Sequence, residues 1–343
     1  MYSARVMRGS TLLAALGALL LFGCSSSPET KTSVKSPEAP KAAGSDFKVA
    51  LITPGPVSDA GWSALAYEGL KGVESELGAE VNNKIATGPQ AKDDMRSYAQ
   101  NGYKLVIGHG FEYNEPGVEV AKDFPDTVFI SSSGGKTAAN AGAFRFYLEQ
   151  GCYLAGMVAG KMSKTGKVGS VAVLDIPSIN STLAAFEAGA KAARPDIQIV
   201  KTVYFGAEGD IAGAKRATQS VLAQGADFVI HQANAGAQGV FDACMEKGAY
   251  AIGTNSDQND NSSGVVLGSA TIVAKPAFLK LAQSVKNGTY KGSVVLAGMD
   301  QDAIDFVFNP KLMDKVPAGV AALVKETKAK IKSGDLVVPK AEF

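Results

Sequence analysis

Four segments of the chain are rich in amide, hydroxyl and aromatic side chains, namely residues 53–69, 107–116, 131–135 and 255–260. Each follows a short apolar run of the kind that predicts a buried β-strand. Ligands of parallel sheets bind outside the carboxyl ends of the strands, so these loops are expected to meet. Aromatic rings can stack on a flat molecule while amides and hydroxyls bond to its edge. The sequence therefore predicts a cleft for a flat, polar small molecule.

The first of these loops carries Trp62, the only tryptophan of the chain. Residues 54–56, Pro-Gly-Pro, predict a turn, and the side chain of Ser58 or Asp59 is suited to cap a helix that carries Trp62. A tryptophan at a helix start either stacks on a ligand or packs as core, and the sequence leaves both roles open. Asp257 and Asn234 are similarly ambiguous, because both residue types also stabilise turns.

The motifs that would indicate an enzyme are incomplete. Residues 160–167, GKMSKTGK, place five residues between the glycines where a phosphate-binding loop has four, and Val168 stands where Ser or Thr would bind magnesium. Residues 108–110 lack the third glycine of a dinucleotide-binding turn. His109 and His231 do not form a metal-binding pair, and there is no GxSxG motif. The sequence predicts no enzyme, no cofactor and no metal site.

Strand and helix signals alternate along the chain. The predicted strands are residues 47–53, 104–107, 127–131, 168–174, 197–204, 226–231, 250–253 and 265–269. Apolar residues at helical spacing predict helices at residues 62–77, near 92–100, from 117 onward, near 149–162 and at 320–331, with further helices between the later strands. This alternation is typical of parallel sheets with helices on both faces.

Length and composition exclude several classes of protein. The chain has 343 residues, 46% of them hydrophobic, and a formal net charge of +1. This length suggests two domains or lobes, and the near-neutral charge gives no electrostatic attraction for nucleic acid.

Cys152 and Cys244 both fall in predicted helices, so buried free thiols are expected. A single disulfide between them remains the alternative.

The amino terminus predicts export and lipid attachment. A dozen uncharged residues, 11–22, follow Arg5 and Arg8 and lead into Gly23 and Cys24. This run is too short to span a bilayer as a helix, which takes about 20 residues. Residues 1–23 are therefore predicted to be a lipoprotein signal peptide that is cleaved before Cys24, the residue that is then lipidated. An ordinary secretory signal remains the alternative.

Residues 24–45 are predicted to form a disordered tether. They contain no aromatic residue and one valine among mainly Ser, Pro, Lys, Glu and Ala. Such a segment cannot bury enough apolar area to offset its ordering entropy. The tether is expected to hold a folded body near a membrane, and Ser25 leaves the choice between inner and outer membrane open.

Several segments of the body resemble a known protein family. They are FRFYLEQGCYLAG at 144–156, TGKVGSVAVLDIP at 165–177, AFEAGAKAARPDI at 185–197, QGADFVIHQANAGAQGVFDACMEKGAYAIGTNSDQ at 224–258 and VVLGSAT at 265–271. In this order they are similar to the basic membrane lipoproteins, which are substrate-binding lipoproteins of ABC transporters related to purine nucleoside receptors. The resemblance covers essentially everything after the tether.

The resemblance implies an α/β fold of the bilobal periplasmic-binding-protein type I, with two doubly wound parallel-sheet lobes, a three-stranded hinge and a ligand closed between the lobes. By similarity, the first lobe should hold residues 46–143 plus about 273–295. The second lobe should hold residues 144–272 plus about 296–310. Residues 311–343 are expected to form a C-terminal helical tail that packs back on the body.

The resemblance also implies aromatic stacking of the ligand. Relatives stack the purine on a phenylalanine in the loop after the first strand, and Trp62 aligns with that position. A second stacking phenylalanine of relatives falls near Glu208, with Tyr204 and Phe205 close by. Trp62 offers a larger stacking face, so the mechanism of the relatives is expected to be kept.

The positions that hold the ribose in relatives differ in this chain. Two acidic positions of the family are Thr53 and either Ser132 or Ser133 here, and a lysine position is Ile272. The resemblance therefore implies a smaller or differently decorated heterocycle. A free purine base is expected first and a nucleoside second.

Other family positions are retained. Gly236 and Asp257 match a glycine and an acidic position of the second lobe, and Phe111 and Glu112 match the loop after the second predicted strand. The predicted ligand-binding residues are, in full, Trp62, Thr53, Asp59, Phe111, Glu112, Ser133, Glu208, Asn234, Gly236 and Asp257.

These expectations combine into one predicted function. The chain would be a membrane-anchored substrate-binding lipoprotein of an ABC importer that captures a purine base or nucleoside and delivers it to a permease. It would act as an exported monomer, attached through the lipid on Cys24 to the periplasmic face or the cell surface, with no nucleic-acid partner. A ligand-binding sensor with the same cleft and a surface-exposed antigen or adhesin remain alternatives.

Overall fold

A computed structural model describes residues 46–59, 61–207 and 209–342 of the chain. The strands are β1 (Lys48–Thr53), β2 (Glu80–Ile85), β3 (Leu105–Gly108), β4 (Val128–Ser131), β5 (Ala141–Phe146), β6 (Lys167–Ala172), β7 (Gln198–Tyr204), β8 (Phe228–Gln232), β9 (Tyr250–Asn255), β10 (Val266–Ile272), β11 (Val294–Ala297) and β12 (Ile304–Phe308). The helices are α1 (Trp62–Leu77), α2 (Gly88–Gln100), α3 (Asn114–Ala121), α4 (Glu149–Met162), α5 (Pro177–Ala193), α6 (Ile211–Ala223), α7 (Ala237–Lys247), α8 (Ala274–Lys286) and α9 (Ala318–Ser333). Short 3₁₀ turns, Phe111–Tyr113 and Asn234–Gly236, follow β3 and β8.

The first sheet has the strand order β11-β5-β4-β3-β1-β2, and its neighbouring strands are parallel. Its central strand β3 is buried along its whole length, whereas the edge strand β2 is mostly exposed. Burial on both faces explains the continuous apolar run of a central parallel strand. The carboxyl ends of β1, β3 and β4 lie at one edge of the sheet. The polar loops at 53–69, 107–116 and 131–135 begin there.

The second sheet repeats this order as β12-β10-β9-β8-β6-β7. Its strands β6 to β10 pair in parallel, and β12 runs antiparallel to β10. By their places in the two orders, β8 is equivalent to β3 and β9 is equivalent to β4. Two sheets with the same strand order, parallel except for β12, confirm the predicted α/β fold.

The chain passes between the two sheets three times, after β5, after β10 and after β11. The N–H of Tyr147 in the first connection donates to the carbonyl of Ala297 at 2.8 Å. The N–H of Val273 in the second donates to the carbonyl of Ala303, in the third, at 2.9 Å. The three connections therefore lie side by side, in the arrangement predicted for the hinge.

The residue limits of the two lobes and of the tail stay a prediction. The predicted limit between residues 143 and 144 falls inside β5, all of which pairs within the first sheet. The residues that the structure describes belong to one compact unit.

Two helices agree with their predicted limits, since α1 and α4 span residues 62–77 and 149–162. Residues 160–167 form the end of α4, a turn and the start of β6. Gly166 makes that turn with a φ of 72°. Strands β2, β5, β11 and β12 were not predicted.

Cys152 in α4 and Cys244 in α7 are buried free thiols, so the disulfide alternative does not hold. Burial raises the pKa of Cys244 to about 12 and raises the pKa of the Cys152 thiol well above its usual value. Because the thiolate is the reactive form, both cysteines are unreactive at neutral pH.

Several predictions fall outside the residues that the structure describes. They are the signal peptide at 1–23, the tether at 24–45, the lipidation of Cys24 and the ligand role of Glu208. In the described ranges no helix has the length and apolar character needed to cross a membrane.

The residues that follow α9 pack across the first connection between the sheets. The hydroxyl of Tyr147 donates to the carbonyl of Val338, and Nη1 of Arg145 donates to the carbonyl of Ala341 at 2.6 Å. The N–H of Ala341 donates to the hydroxyl of Ser181 at 2.9 Å. These bonds tie the C-terminal residues to the hinge and to α5.

Helices α4 and α5 approach so closely that glycine is required at their contact. A Cβ atom on Gly156 would lie 1.9 Å from the carbonyl oxygen of Phe186, and one on Gly189 would lie 2.0 Å from that of Tyr153. No side chain fits at these distances unless the helices move apart.

Gly156→Ala is expected to destabilise the protein by about 1–3 kcal/mol, because the added methyl group overpacks this contact. The matched control is Gly319→Ala in α9, where no atom lies within 4 Å of the Cβ position. Alanine there should raise stability slightly through its higher helix propensity. Denaturant unfolding of both variants measures the difference, and equal stabilities would contradict the close packing of α4 on α5.

Candidate functional site

A cavity of about 630 Å³, called here the cleft cavity, lies between the carboxyl-end loops of the two sheets. The residues that line it are Asp59, Gly61, Ala64, Leu65 and Glu68 on the side of the first sheet and Asn234, Ala235, Ala237, Gln238, Phe241, Ser256, Asp257, Gln258, Asp260, Asn261 and Ile272 on the side of the second. The two walls touch, since a Cβ atom on Gly61 would lie 3.3 Å from Oδ1 of Asn234. The volume falls in the range of small-molecule sites.

Asp59 holds the start of α1 in place at the wall of the cleft cavity. Its Oδ1 accepts from the N–H groups of Gly61 and Ala64, both at 2.9 Å, and its Oδ2 accepts from that of Ser63 at 2.8 Å. These N–H groups have no partner within the helix, so a carboxylate here stabilises the helix start. The capping role predicted for Ser58 or Asp59 is confirmed for Asp59.

Trp62 is stacked on His109, with ring centroids 3.9 Å apart and an angle of 23° between the planes. The indole N–H donates to the carbonyl of His109 at 3.0 Å, and Nε2 of His109 lies 2.9 Å from the carbonyl oxygen of Trp62. A carbonyl oxygen only accepts, so Nε2 carries the proton and Nδ1 accepts from the hydroxyl of Ser132 at 2.5 Å. A ligand that stacks on Trp62 must therefore use the opposite face of the indole.

In the second sheet a buried histidine, His231, lies near the end of the equivalent strand β8. The N–H of Ala233 donates to its Nδ1 at 3.3 Å, so Nε2 carries the proton and donates to Oε1 of Gln258 at 3.0 Å. The N–H of Thr254 donates to the same oxygen at 3.1 Å. Near the end of β3 and of β8, a buried imidazole thus orients one side chain, Trp62 in the first case and Gln258 of the cavity lining in the second.

Both imidazoles are uncharged at physiological pH. Burial lowers the pKa of His109 to about 3, and the hydrogen bond with Trp62 opposes this only in part. Burial likewise lowers the pKa of His231 to about 4, against the opposing effect of Gln258. Each imidazole therefore keeps one donor and one acceptor nitrogen, which the two sets of hydrogen bonds require.

A chain of amides connects the second wall to α5. Nε2 of Gln232 donates to the hydroxyl of Thr182 at 3.0 Å. Nδ2 of Asn255 donates to Oε1 of Gln232 at 3.3 Å and to Oδ1 of Asn234 at 3.2 Å. Asn234 and Asn255 have φ angles of 45° and 69°, which asparagine tolerates better than most residues. The local turn and the amide bonds together fix Asn234 at the cleft.

The lining of the cleft cavity is acidic. Asp59, Glu68, Asp257 and Asp260 contribute carboxyl groups, and no lysine or arginine of the described residues lines it. Asp260 pairs with Lys311 at 2.7 Å. In the described ranges no three His, Cys, Asp or Glu side chains come together in a way that could hold a metal ion. The lining suits an uncharged ligand with N–H donors and disfavours a phosphate.

Three of the predicted ligand-binding residues, Asp59, Asn234 and Asp257, line the cleft cavity. Asp257 also stabilises a turn, because its Oδ1 accepts from the N–H of Asn259 at 2.9 Å. Both roles foreseen for Asp257 are therefore compatible with the structure. Ligand contact by these three residues stays a prediction.

Thr53 and Ser133 are buried at strand ends and are not among the lining residues. The hydroxyl of Thr53 donates to the carbonyl of Gly55 at 2.8 Å, and the carbonyl of Ser133 accepts from the hydroxyl of Ser131 at 2.6 Å. Ser133 also has an unusual φ of 149°. Both residues shape the loops, and their contact with a ligand stays a prediction.

The other predicted residues in the described ranges also lie outside the lining. Phe111 and Glu112 are exposed in the 3₁₀ turn after β3. Gly236 is buried, and the ring of Phe205 would lie 3.3 Å from a Cβ atom placed on it. Trp62 is half-buried against the core beside His109. Their ligand roles stay predictions.

Sequence reasoning missed His109, His231 and Gln258 as residues that shape the site. The available signal was that each histidine ends an apolar run in an otherwise similar strand-turn-helix unit. Their partners Ser132 and Gln258 lie 23 and 27 residues further along the chain, so the contacts are visible only in the folded structure.

Comparison with known proteins agrees with this geometry. The model of one family, described as ABC transporter substrate-binding protein PnrA-like, matches residues 47–342. A purine-binding protein of Brucella abortus (strain 2308) is 29% identical over 294 residues, which cover 84% of this chain and 82% of that protein. Basic membrane protein A1 of Borrelia garinii subsp. bavariensis is 25% identical over 300 residues, covering 85% and 88% of the two chains.

The fold is also found among solved structures. An ABC transporter solute-binding protein of Aeropyrum pernix K1 matches with a TM-score of 0.77 and 19% identity, over 86% of this chain and 94% of that one. The likeness shows that the two sheets form the periplasmic-binding-protein fold.

The stability of the protein is expected to fall between pH 6.5 and pH 5.5. An unfolded chain takes up protons on histidine in this range, whereas the folded pKa values of about 3 for His109 and about 4 for His231 keep both imidazoles neutral. The unfolded state binds more protons, so acid favours unfolding, by about 2 kcal/mol for the two histidines together. Urea unfolding at the two pH values measures this loss.

His231→Gln is the matched variant for this experiment. It removes one of the two titrating groups, so its loss of stability between the same pH values is expected to be about half that of the unaltered protein. An unchanged pH dependence in the variant would contradict the burial of a neutral His231.

Proposed function

The chain belongs to the Bmp family of PnrA-like ABC transporter substrate-binding proteins, and from this membership we propose that it captures a purine base or nucleoside in the cleft cavity and delivers it to a permease. The family and fold are those of solute-binding proteins, which are not enzymes. The observation that carries the proposal is the cleft cavity itself, which has walls from both sheets and a lining of amides and carboxylates without a cation from the described residues. A relative named as a purine-binding protein supports the choice of a purine.

A purine fits the chemistry of this lining. It is flat and uncharged, and N–H donors and nitrogen or oxygen acceptors surround its ring. Carboxylates such as Asp257 accept from the donors, and amides such as Asn234 and Gln258 bond to the rest of the edge. Stacking on the face of Trp62 opposite His109 would add about 1–3 kcal/mol, by analogy with base stacking elsewhere. A nucleotide would place its phosphate among carboxylates and is disfavoured.

The free base is the first candidate and the nucleoside the second. Ile272 stands at a lining position where relatives are expected to hold the ribose with lysine, and an isoleucine side chain makes no hydrogen bond. Thr53 already uses its hydroxyl on Gly55. A sugar in this region would lose hydrogen bonds with water that these residues do not replace.

Ligand capture between the walls would couple to the hinge. A ligand that contacts both sheets binds the closed arrangement better than an open one, so it shifts the population toward closure. A permease can then distinguish the ligand-bound protein from the ligand-free one by the relative position of the lobes. The protein would do this as an exported monomer, held near the membrane by the tether at 24–45 and a lipid on Cys24.

A purine base is expected to change the fluorescence of the protein. Trp62 is the only tryptophan, so its emission reports on this site alone. Stacking of a purine on the indole should quench the emission in a saturable manner, and a sugar or an amino acid should leave it unchanged. A purine that raises the melting temperature while the emission of Trp62 stays constant would contradict stacking at this residue.

Cys24→Ala is expected to release the protein from the membrane fraction and to abolish incorporation of labelled palmitate. The matched control is Cys244→Ala, which removes a thiol that is buried in the fold and should leave both properties unchanged. Membrane fractionation and fatty-acid labelling measure the effect. Continued labelling of Cys24→Ala would rule out this residue as the lipid attachment site.

A further inference from the structure

The amide of Gln258 has a fixed orientation at the wall of the cleft cavity. Its Oε1 accepts from the N–H of Thr254 at 3.1 Å and lies 3.0 Å from Nε2 of His231. A backbone N–H only donates, so the side-chain atom that faces it must be the oxygen. The amide nitrogen of Gln258 then points away from these two groups. A rotation that exchanged the two ends would set the amide N–H groups against two donors.

The protein around Gln258 keeps this side chain in place. Its backbone N–H donates to the hydroxyl of Ser269 at 3.1 Å. Its side chain covers Gly253, where a Cβ atom would lie 2.8 Å from Oε1 and 3.1 Å from Cβ of Gln258. The hydroxyl of Ser269 also donates to Oδ1 of Asn259, so Ser269 is itself held in position by a hydrogen bond. Glycine at 253 is therefore required for this packing.

A second glutamine of the lining makes a useful contrast. Nε2 of Gln238 donates to Oδ1 of Asp242 at 2.6 Å, and its Oε1 accepts from Nδ2 of Asn261 at 3.0 Å. Both ends of that amide are thus bonded to the protein, whereas in Gln258 the bonds hold the oxygen end. Gln258 lines the cavity with its oxygen end held by its neighbours, so its amide N–H groups are the ones offered to a ligand.

We propose that Gln258, held by His231, determines specificity by donating an N–H to a carbonyl oxygen on the ligand, so that the cleft selects 6-oxopurines over 6-aminopurines. This inference rests on the proposed function. In a 6-oxopurine the N1–H donor stands beside the C6 carbonyl acceptor, which matches a carboxylate next to a donor amide, as at Asp257 and Gln258. In the same pose adenine would set an acceptor against the carboxylate and an amino group against the amide donor. His231 is a positioning residue, because it acts only through Gln258.

Calorimetric titration of the full-length protein with hypoxanthine and with adenine tests the assignment. The unaltered protein is expected to bind hypoxanthine at least about tenfold more tightly than adenine. The C6 carbonyl of hypoxanthine accepts from the amide of Gln258, whereas the C6 amino group of adenine sets a second donor against it. Gln258→Leu removes the donor that faces C6 and should lower the ratio of the two affinities, leaving only the part that Asp257 contributes. Gln258→Glu keeps the shape but presents a carboxylate oxygen to the C6 substituent. This oxygen repels the 6-oxo group and accepts from the 6-amino group, so the ratio should fall further than in Gln258→Leu, although Asp257 still favours the 6-oxopurine.

The control variants separate orientation from general damage to the site. Gln238→Leu removes an amide from the same cavity and should leave the ratio of the two affinities unchanged, whatever it does to each affinity. His231→Leu frees the amide of Gln258 to rotate and should reduce the ratio. Since a merely structural role of His231 would weaken both bases alike, the ratio is the decisive readout.

The outcomes distinguish this inference from the proposed function. If the unaltered protein binds both bases equally, or if neither Gln258 variant changes the ratio, the assignment of Gln258 is wrong and purine capture still stands. If the protein binds neither base nor any nucleoside, the proposed function is overturned and the assignment falls with it. Should Gln258→Leu fail to fold, the isosteric Gln258→Glu variant decides the question.

Discussion

The central strands of both sheets are parallel and covered by helices, and this constraint determines where the protein can hold polar groups. Central strands such as β1 and β3 are buried, so they carry apolar side chains along most of their length. Polar residues are then confined to strand ends, and in parallel strands these ends share one edge. Loops from both edges line the same cavity, so the two edges face each other. The cleft cavity, its amides and its carboxylates all follow from this arrangement.

The two histidines show how the strand ends are made rigid. Each is buried and uncharged near the end of an equivalent strand, and each uses both ring nitrogens in hydrogen bonds. A charged side chain could not be buried there without an opposite charge, and an apolar one could not satisfy the loop groups around it. His109 fixes Trp62 by stacking and hydrogen bonding, while His231 fixes Gln258. The walls of the cleft are therefore organised before a ligand arrives, which reduces the entropy that binding must overcome.

Structural features that follow from burial and local hydrogen bonds could be predicted from the sequence. Features that depend on contacts between residues far apart in the chain could not. Helices α1 and α4 were predictable because their apolar spacing is regular, and Asp59 because its capping bonds reach only five residues. Strand β2, EVNNKI, was missed because an exposed edge strand has no apolar run. In β5 the run is interrupted by Arg145, which is buried because it pairs with Glu149. The roles of His109 and Gln258 required partners from other strands, so no local pattern could reveal them.

Purine capture is the central claim, and a thermal-shift screen of the ligand-free protein tests it most directly. The panel would hold purine and pyrimidine bases, their nucleosides, sugars and amino acids at equal concentrations. A ligand at a hundredfold excess over its Kd stabilises the folded state by about 2.7 kcal/mol, which is readily visible as a higher melting temperature. We expect purine bases to give the largest shift and nucleosides a smaller one. A shift with sugars or amino acids and none with any purine would contradict the account.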